Sequence, residues 1–220
     1  MSTGPRVVYQ QGDHVCTLFG SHEEQLSAAV DYISQGLERG ERCLYVCGEQ
    51  TPSEFRCALR DAGIDVAGEE ARGSLVLLTK ETGHLKGGSF NASRMIAMLS
   101  TAVEDALSDG FAGLCAAGDM TWVLDEAAGS DELQEYEALL NHFYKSHRAL
   151  GLCQYNRRRL PAGILDHGIA THPMIRIDGP ILLTNPFYEL PETAMCRTAQ
   201  VEGVDDRIEQ LRSGAVVSSR

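Results

Sequence analysis

Short apolar runs that alternate with helical segments constrain the fold of this chain more than any other feature. The runs lie at residues 43–47, 74–79, 112–117 and 150–155. Strands that are apolar on both faces are typical of parallel sheets covered by helices, with right-handed crossovers. Residues 174–177 and 181–184 flank the turn Asp178-Gly179-Pro180, and this pattern predicts a terminal hairpin. The pattern therefore predicts an α/β fold, a largely parallel sheet flanked by helices with a C-terminal β-hairpin.

Helix start signals separate the apolar runs. Ser21 with Glu24, and Thr51 with Glu54, have the spacing of a capping box, in which each side chain binds a free backbone N–H group at a helix N-terminus. Further helices are predicted to begin at Asn91, Ser130 and Pro161. The chain is therefore expected to alternate between strands and helices from its first capped helix onward.

Composition excludes several classes of protein. Hydrophobic residues make up 43% and charged residues 23% of the 220 residues, which is ordinary globular usage and argues against disorder. The net charge of −12 opposes non-specific binding to nucleic acid or to an anionic membrane. Seven cysteines without a C-x-x-C pair, and no signal-peptide or membrane-spanning stretch, predict a reduced cytoplasmic protein. We expect one domain over residues 1–190 and a polar C-terminal tail or linker helix over residues 191–220, with at best a short amphipathic helix at residues 204–212.

Residues that directly follow the predicted strands are candidates for a ligand site. In an open parallel sheet, ligands bind outside the carboxyl ends of the strands. These residues are Glu49, Asp119, Met120, Trp122 and Arg157. If the strands are neighbours, an acid, a thioether, an aromatic ring and a guanidinium converge on one crevice. Packing of Met120 and Trp122 in the core, and an ion-paired surface role for the arginine, are the alternative interpretations.

A second candidate group lies near the N-terminus, where His14 and Cys16 fall on the same side of an extended segment. The N-terminus of the first predicted helix lies beside them, and its positive potential would acidify a thiol. The pair supplies only two metal ligands, and a set of four would need distant residues such as Cys153, His167 or His172. The spacing therefore favours a structural or hydrogen-bonding role over a metal site.

Signatures of common enzymes are absent from the sequence. It contains no phosphate-loop motif, no G-x-G-x-x-G, no G-x-S-x-G and no H-E-x-x-H. Lys86-Gly87-Gly88-Ser89 has the letters of a phosphate loop, but it does not directly follow a strand as that motif requires. No nucleophile with a positioned base can be identified, and we expect no enzymatic activity.

Several short motifs occur in an order that points to one family. They are His14-x-Cys16, Phe19, Gly36-Leu37-x-x-Gly40-Glu41-x-Cys43-Leu44-Tyr45-Val46, Gly118-Asp119-Met120-Thr121-Trp122, Tyr136-Glu137, Leu152-Cys153-x-Tyr155 and Asn185-Pro186-Phe187-Tyr188. Over most of residues 10–190 the chain resembles the MEDS domain, the sensory domain named from methanogens, methylotrophs and the dichloromethane-responsive repressor DcmR. Residues 36–79 also resemble the KaiC and RecA-type ATPase core, although residues 18–23 lack the Lys and Ser/Thr of its phosphate loop.

The resemblance implies a RecA-like scaffold that senses a small hydrocarbon derivative instead of turning over a nucleotide. It implies a signalling partner, namely a histidine kinase, an anti-sigma factor or a transcription regulator. From the net charge we expect no direct contact to nucleic acid or membrane, and a homodimer is left open. No output module is visible, so we interpret the chain as a stand-alone sensor or the sensory part of a longer protein. The predicted ligand-binding residues are His14, Cys16, Phe19, Glu49, Asp119, Met120, Trp122, Cys153, Tyr155 and Arg157.

Two alternatives stay open from the sequence. The first is a degenerate nucleotide-binding protein of the RecA class, in which the helix N-terminus at Ser21 holds a phosphate and Arg157 or Arg159 assists. The second is a thiol or metal sensor that uses His14, Cys16 and Cys153. No cofactor is identified by the sequence.

Overall fold

The computed structural model of the chain describes residues 7–125, 132–179, 181–196 and 198–218. The strands are β1 (His14–Phe19), β2 (Arg42–Val46), β3 (Leu75–Leu78), β4 (Leu114–Asp119), β5 (Ala149–Asn156), β6 (Met174–Ile177) and β7 (Leu182–Thr184). The helices are α1 (His22–Glu38), α2 (Pro52–Asp61), α3 (Val66–Ala71), α4 (Ala92–Ser108), α5 (Leu133–Ser146), α6 (Ala162–Thr171), α7 (Pro191–Ala194) and α8 (Val204–Ser218). A 3₁₀ helix, Met120–Leu124, directly follows β4. Within the described ranges, no helix has the length and apolar character needed to cross a bilayer.

The strands form a single seven-stranded sheet in the order β3-β2-β4-β5-β1-β6-β7. All neighbouring strands are parallel except β6 and β7, which pair antiparallel. The hairpin turn places Asp178 at φ +48°, a left-handed conformation that Asp tolerates better than most residues. The predicted fold class, a largely parallel sheet with a C-terminal hairpin, is confirmed. The closer resemblance to KaiC and RecA stays a prediction.

Helices cover both faces of the sheet, and the strand order decides which helix lies on which face. The chain moves in one direction along the sheet from β1 to β3, and in the opposite direction from β3 to β6. Because parallel crossovers are right-handed, this reversal puts α1 to α3 on one face and α4 to α6 on the other. We call these the α1–α3 face and the α4–α6 face. Along β1, Val15 packs on the α1–α3 face, and Cys16 and Leu18 pack on the α4–α6 face.

The predicted capping residues begin their helices. Thr51 and Glu54 form a complete capping box at α2, and Asn91 accepts a hydrogen bond from the N–H of Arg94 at the start of α4. The helix expected from Ser130 begins at Leu133 within the described residues, and Ser130 itself lies outside them. The short helix α3 and the 3₁₀ helix after β4 were not predicted.

The polar C-terminal segment, predicted to be a tail or a linker helix, contains helix α8, which packs on the fold. Val204, Ile208 and Leu211 of α8 are buried in the hydrophobic core of the α4–α6 face. Arg207 forms an ion pair of 2.6 Å with Asp166 of α6, whose side chain is fully buried. Helix α8 is therefore part of the same core as the strands and helices before it.

Candidate functional site

Four buried side chains converge on the α4–α6 face. His14 begins β1 and Cys153 lies on the neighbouring strand β5, while Glu137 belongs to α5 and His172 follows α6. One potential metal-ligating atom from each residue lies within 4.8 Å of those of the other three. Cys153 is 6% exposed and the other three are at most 1% exposed. We call this group the His–Cys–Glu cluster.

Glu137 lies at the centre of the cluster. Its Oε2 atom is 3.3 Å from Nε2 of His14 and 3.4 Å from Nε2 of His172. The Sγ atom of Cys153 is 3.7 Å from the same oxygen and 3.6 Å from Nε2 of His14. The other carboxylate oxygen, Oε1, accepts a hydrogen bond of 2.6 Å from the hydroxyl of Tyr155. One carboxylate thus faces both imidazoles and the thiol.

The outer nitrogen of each imidazole faces an acceptor, which fixes the tautomer. The amide nitrogen of Asn141 donates to the carbonyls of Glu137 (3.1 Å) and Thr171 (2.7 Å), which leaves its Oδ1 to accept from Nδ1 of His14 at 3.2 Å. Nδ1 of His172 lies 2.7 Å from the carbonyl oxygen of Gly168. In the neutral ring, Nδ1 therefore carries the proton and Nε2 directs a lone pair into the cluster.

Burial governs the charges of the cluster. It lowers the pKa of His14 and of His172 to about 3, so both imidazoles are neutral at pH 7. Burial also raises the pKa of Glu137 and that of the Cys153 thiol. The negative charge of the neighbouring Glu137 carboxylate raises the pKa of the thiol further. Nε2 of His172 has no hydrogen-bond partner among the described residues. The Nε2 atoms of both imidazoles and Oε2 of Glu137 thus converge on one buried point.

A partly open cavity of about 20 Å³ adjoins the cluster. Its lining includes Met95, Met98, Met120, His84, Tyr136 and Cys153. Cys153 is therefore both a member of the cluster and part of the cavity lining. The Trp122 ring stacks on Phe90, with ring centroids 4.3 Å apart, and on His84 at 5.3 Å. Within the described part of the chain, neither Nε1 of Trp122 nor Nδ1 of His84 has a hydrogen-bond partner.

The structure brings several of the predicted ligand-binding residues to this face. They are His14, Cys16, Met120, Trp122, Cys153 and Tyr155. Cys16 is the register partner of Cys153, but it is not one of the four residues of the cluster. Met120 and Trp122 are core residues, as one interpretation of the sequence has it. Met120 also lines the cavity, and Trp122 stacks on His84, which lines it too, so core packing does not exclude contact with a ligand.

Asp119 and Phe19 lie on the opposite, α1–α3 face. Asp119 accepts hydrogen bonds from Nε2 of Gln25 (2.8 Å) and from the N–H of Thr121 (2.9 Å), and burial raises its pKa. A Cβ atom on Gly48 would lie 2.5 Å from the carboxyl carbon of Asp119. This carboxylate therefore ties α1 and the end of β2 to the end of β4. Phe19 is buried at the end of β1.

Glu49 and Arg157 are occupied by ion pairs. Glu49 pairs with Arg159 at the surface, and Arg157 binds Glu24 (3.1 Å) and Asp178 (3.0 Å). The sheet thus separates the predicted residues, and they do not line one crevice. Their individual roles in ligand binding stay predictions.

Side chains of the protein already bind the N-terminus of α1, where a RecA-like nucleotide site would hold a phosphate. The Glu24 carboxylate accepts a hydrogen bond of 2.6 Å from the N–H of Gly20, and Ser21 Oγ accepts one from the N–H of Glu24. Arg157 neutralises the same carboxylate, and a Cβ atom on Gly20 would lie 2.8 Å from its guanidinium carbon. A phosphate would have to displace this carboxylate.

The sequence analysis missed Glu137 as a site residue. The helical spacing of Leu133, Tyr136 and Leu140 could have indicated it, because residues on one helix face recur at three and four positions. Glu137 and Asn141 lie within that apolar face, and a buried Glu one turn before a buried Asn is unusual for a core helix.

Comparison with known families gives one finding. The family model described as MEDS, the MEthanogen/methylotroph, DcmR Sensory domain, matches residues 13–173. The matched span contains all four residues of the His–Cys–Glu cluster and the residues that line the cavity. A search of curated proteins found no match.

Proposed function

Because the chain belongs to the MEDS family of sensory domains, we propose that it binds a small organic molecule at the α4–α6 face and relays that event to a signalling partner. The observation that carries the proposal is the small cavity that meets the His–Cys–Glu cluster at Cys153. Ligand sites typically combine an apolar lining with a few polar groups that orient the ligand. Here the thioethers of Met95, Met98 and Met120 would supply the lining, and the cluster would supply the polar end.

The size of the cavity supports a very small ligand. A volume of about 20 Å³ is enough for one water-sized group. Methionine side chains are unbranched and adapt to irregular shapes, so a modest rearrangement of Met95 and Met98 would admit a few more atoms. These features favour a short hydrocarbon derivative, such as a small alcohol or halocarbon, over a nucleotide. The Cys153 thiol is buried and its pKa is raised, which favours binding over nucleophilic catalysis.

A relay would use the segments that follow β5. Arg157 lies two residues beyond Tyr155 and pairs with Asp178 in the hairpin turn, and Asp178 also pairs with Arg212 of α8. A ligand that shifts Tyr155 would bias this chain of contacts and the packing of α8. The partner that reads the change would be a histidine kinase, an anti-sigma factor or a transcription regulator.

Hydrogen exchange with a panel of short alcohols and halocarbons tests the proposal. We expect a binding molecule to change exchange in β5, in the hairpin and in α8, and to raise the unfolding temperature. Ala116 lines the cavity, so Ala116→Val should abolish both effects, whereas Ala97→Val, on the exposed side of α4, should retain them. The absence of any response from the panel, or an unchanged response in Ala116→Val, contradicts the proposal.

A further inference from the structure

We propose that His14, Glu137, Cys153 and His172 bind a single divalent metal ion of the Zn²⁺ type. The donor set is two imidazole nitrogens, one sulfur and one carboxylate oxygen, each of which zinc accepts. Zinc bonds of about 2.0–2.3 Å arranged as a tetrahedron separate N and O ligands by about 3.3 Å, and separate S from either by about 3.6 Å. Four of the six separations match these values: 3.3 and 3.4 Å from Glu137 to the imidazoles, and 3.6 and 3.7 Å from the sulfur to His14 and Glu137. The other two separations are within 4.8 Å.

Several acceptor atoms of the cluster face one another, which is the arrangement that a cation stabilises. Both Nε2 atoms are acceptors once Nδ1 of each ring carries its proton, and both face the same oxygen of Glu137. Nε2 of His172 is fully buried and has no hydrogen-bond partner among the residues that the structure describes. An acceptor that is left unpaired in a dry interior destabilises the folded protein. One metal ion would satisfy both imidazoles and the carboxylate at once.

The surrounding groups have the arrangement that metal sites use to orient their ligands. Histidine ligands usually donate their outer N–H to a carbonyl or carboxylate, which fixes the ring and directs the other nitrogen to the metal. Asn141 Oδ1 accepts from Nδ1 of His14, and the carbonyl oxygen of Gly168 accepts from Nδ1 of His172. Tyr155 holds the outer oxygen of Glu137, so that Oε2 remains for the metal.

Charge and softness favour Zn²⁺ over hard cations. A thiolate at Cys153 and the carboxylate of Glu137 together balance two positive charges, so the loaded centre would be neutral in a fully buried position. Binding would release the thiol proton of Cys153 to solvent. Mg²⁺ and Ca²⁺ prefer sites made of oxygen atoms, which this cluster does not offer. The metal site does not depend on the proposed ligand, although a molecule in the cavity would lie beside Cys153.

Cobalt substitution tests this site, because tetrahedral Co²⁺ with a thiolate ligand has visible bands and a near-ultraviolet sulfur-to-cobalt charge-transfer band. The full chain would be produced in minimal medium with Co²⁺, in a background of Cys57→Ser and Cys196→Ser that removes the exposed thiols. We expect one equivalent of cobalt and both types of band. Cys153→Ser should remove the charge-transfer band, and Cys16→Ser, at the paired position on β1, should retain it.

The possible outcomes separate this proposal from the proposed function. Cobalt and zinc contents well below one equivalent, or a charge-transfer band that survives Cys153→Ser, would overturn the metal site. If Cys153→Ser does not fold, loss of the visible bands in His172→Gln supports the site and their retention overturns it. A metal-free protein that still responds to small molecules leaves the proposed function intact. A loaded protein that responds to none supports the metal site and contradicts the proposed function.

Discussion

Replacing Gly168 by alanine should destabilise the protein through the Tyr155 ring. Gly168 lies in α6, and an added Cβ atom would be 2.8 Å from Cε1 and 2.9 Å from Cζ of Tyr155. Carbon atoms pack best about 3.5–4.0 Å apart, so the ring must move in a fully buried position. Tyr155 donates to Glu137, and displacement of the ring therefore also disturbs the His–Cys–Glu cluster.

The same helix provides a matched control. An alanine at Gly163, also in α6, would have only an ordinary contact of 3.5 Å with Cβ of Ala199. Alanine is favoured over glycine in a helix by up to about 1 kcal/mol, and Gly163→Ala should gain part of this. Gly168→Ala has the same gain but adds overpacking of about 1–3 kcal/mol. The two variants should therefore differ by about 1–3 kcal/mol in the free energy of unfolding.

Urea unfolding followed by circular dichroism measures this difference, and each kcal/mol corresponds to roughly 2–4 °C in Tm for a chain of this size. A double-mutant comparison identifies the cause, because Tyr155→Phe should cost less in the Gly168→Ala background, where the bond to Glu137 is already disturbed. A Gly168→Ala protein as stable as Gly163→Ala would refute the reasoning, since it would mean that the ring moves freely.

Three further predictions concern other parts of the fold. Thr51→Ala removes the capping box of α2 and should cost about 1 kcal/mol in chemical denaturation, whereas Ser53→Ala should change little. Leu211→Ala should cost about 2–4 kcal/mol, because α8 is buried in the core, while Val201→Ala, at a position 57% exposed, should stay within about 0.5 kcal/mol. Burial lowers the pKa of His84 to about 3 from 6.5, so below pH 6.5 the unfolded state binds a proton that the native state does not. Stability then falls by about 1.4 kcal/mol per pH unit between pH 6 and pH 4, and in His84→Gln this decline should be shallower by that amount.

Local signals in the sequence located most elements. The caps at Thr51 and Asn91 act through hydrogen bonds within one turn, so the residues themselves specify where the helices begin. The six-residue helix α3 escaped prediction because it is too short to show an apolar periodicity. The spacing of four and three between Val204, Ile208 and Leu211 predicts a short helix, but these apolar residues are too few to indicate that α8 packs in the core.

The site could be predicted only in part, because it depends on strand order as well as on residue type. The period of a strand places His14 and Cys16 on one face, as expected from the sequence, but it does not say which strand lies beside them. The order β5-β1 brings Cys153 next to Cys16, and the reversal of chain direction at β3 brings α5 and α6 to the same face with Glu137 and His172. The same argument explains Asp119. It lies an odd number of positions from Ala116, which packs on the α4–α6 face, so it must point to the other face, whereas the next residue, Met120, packs on the α4–α6 face.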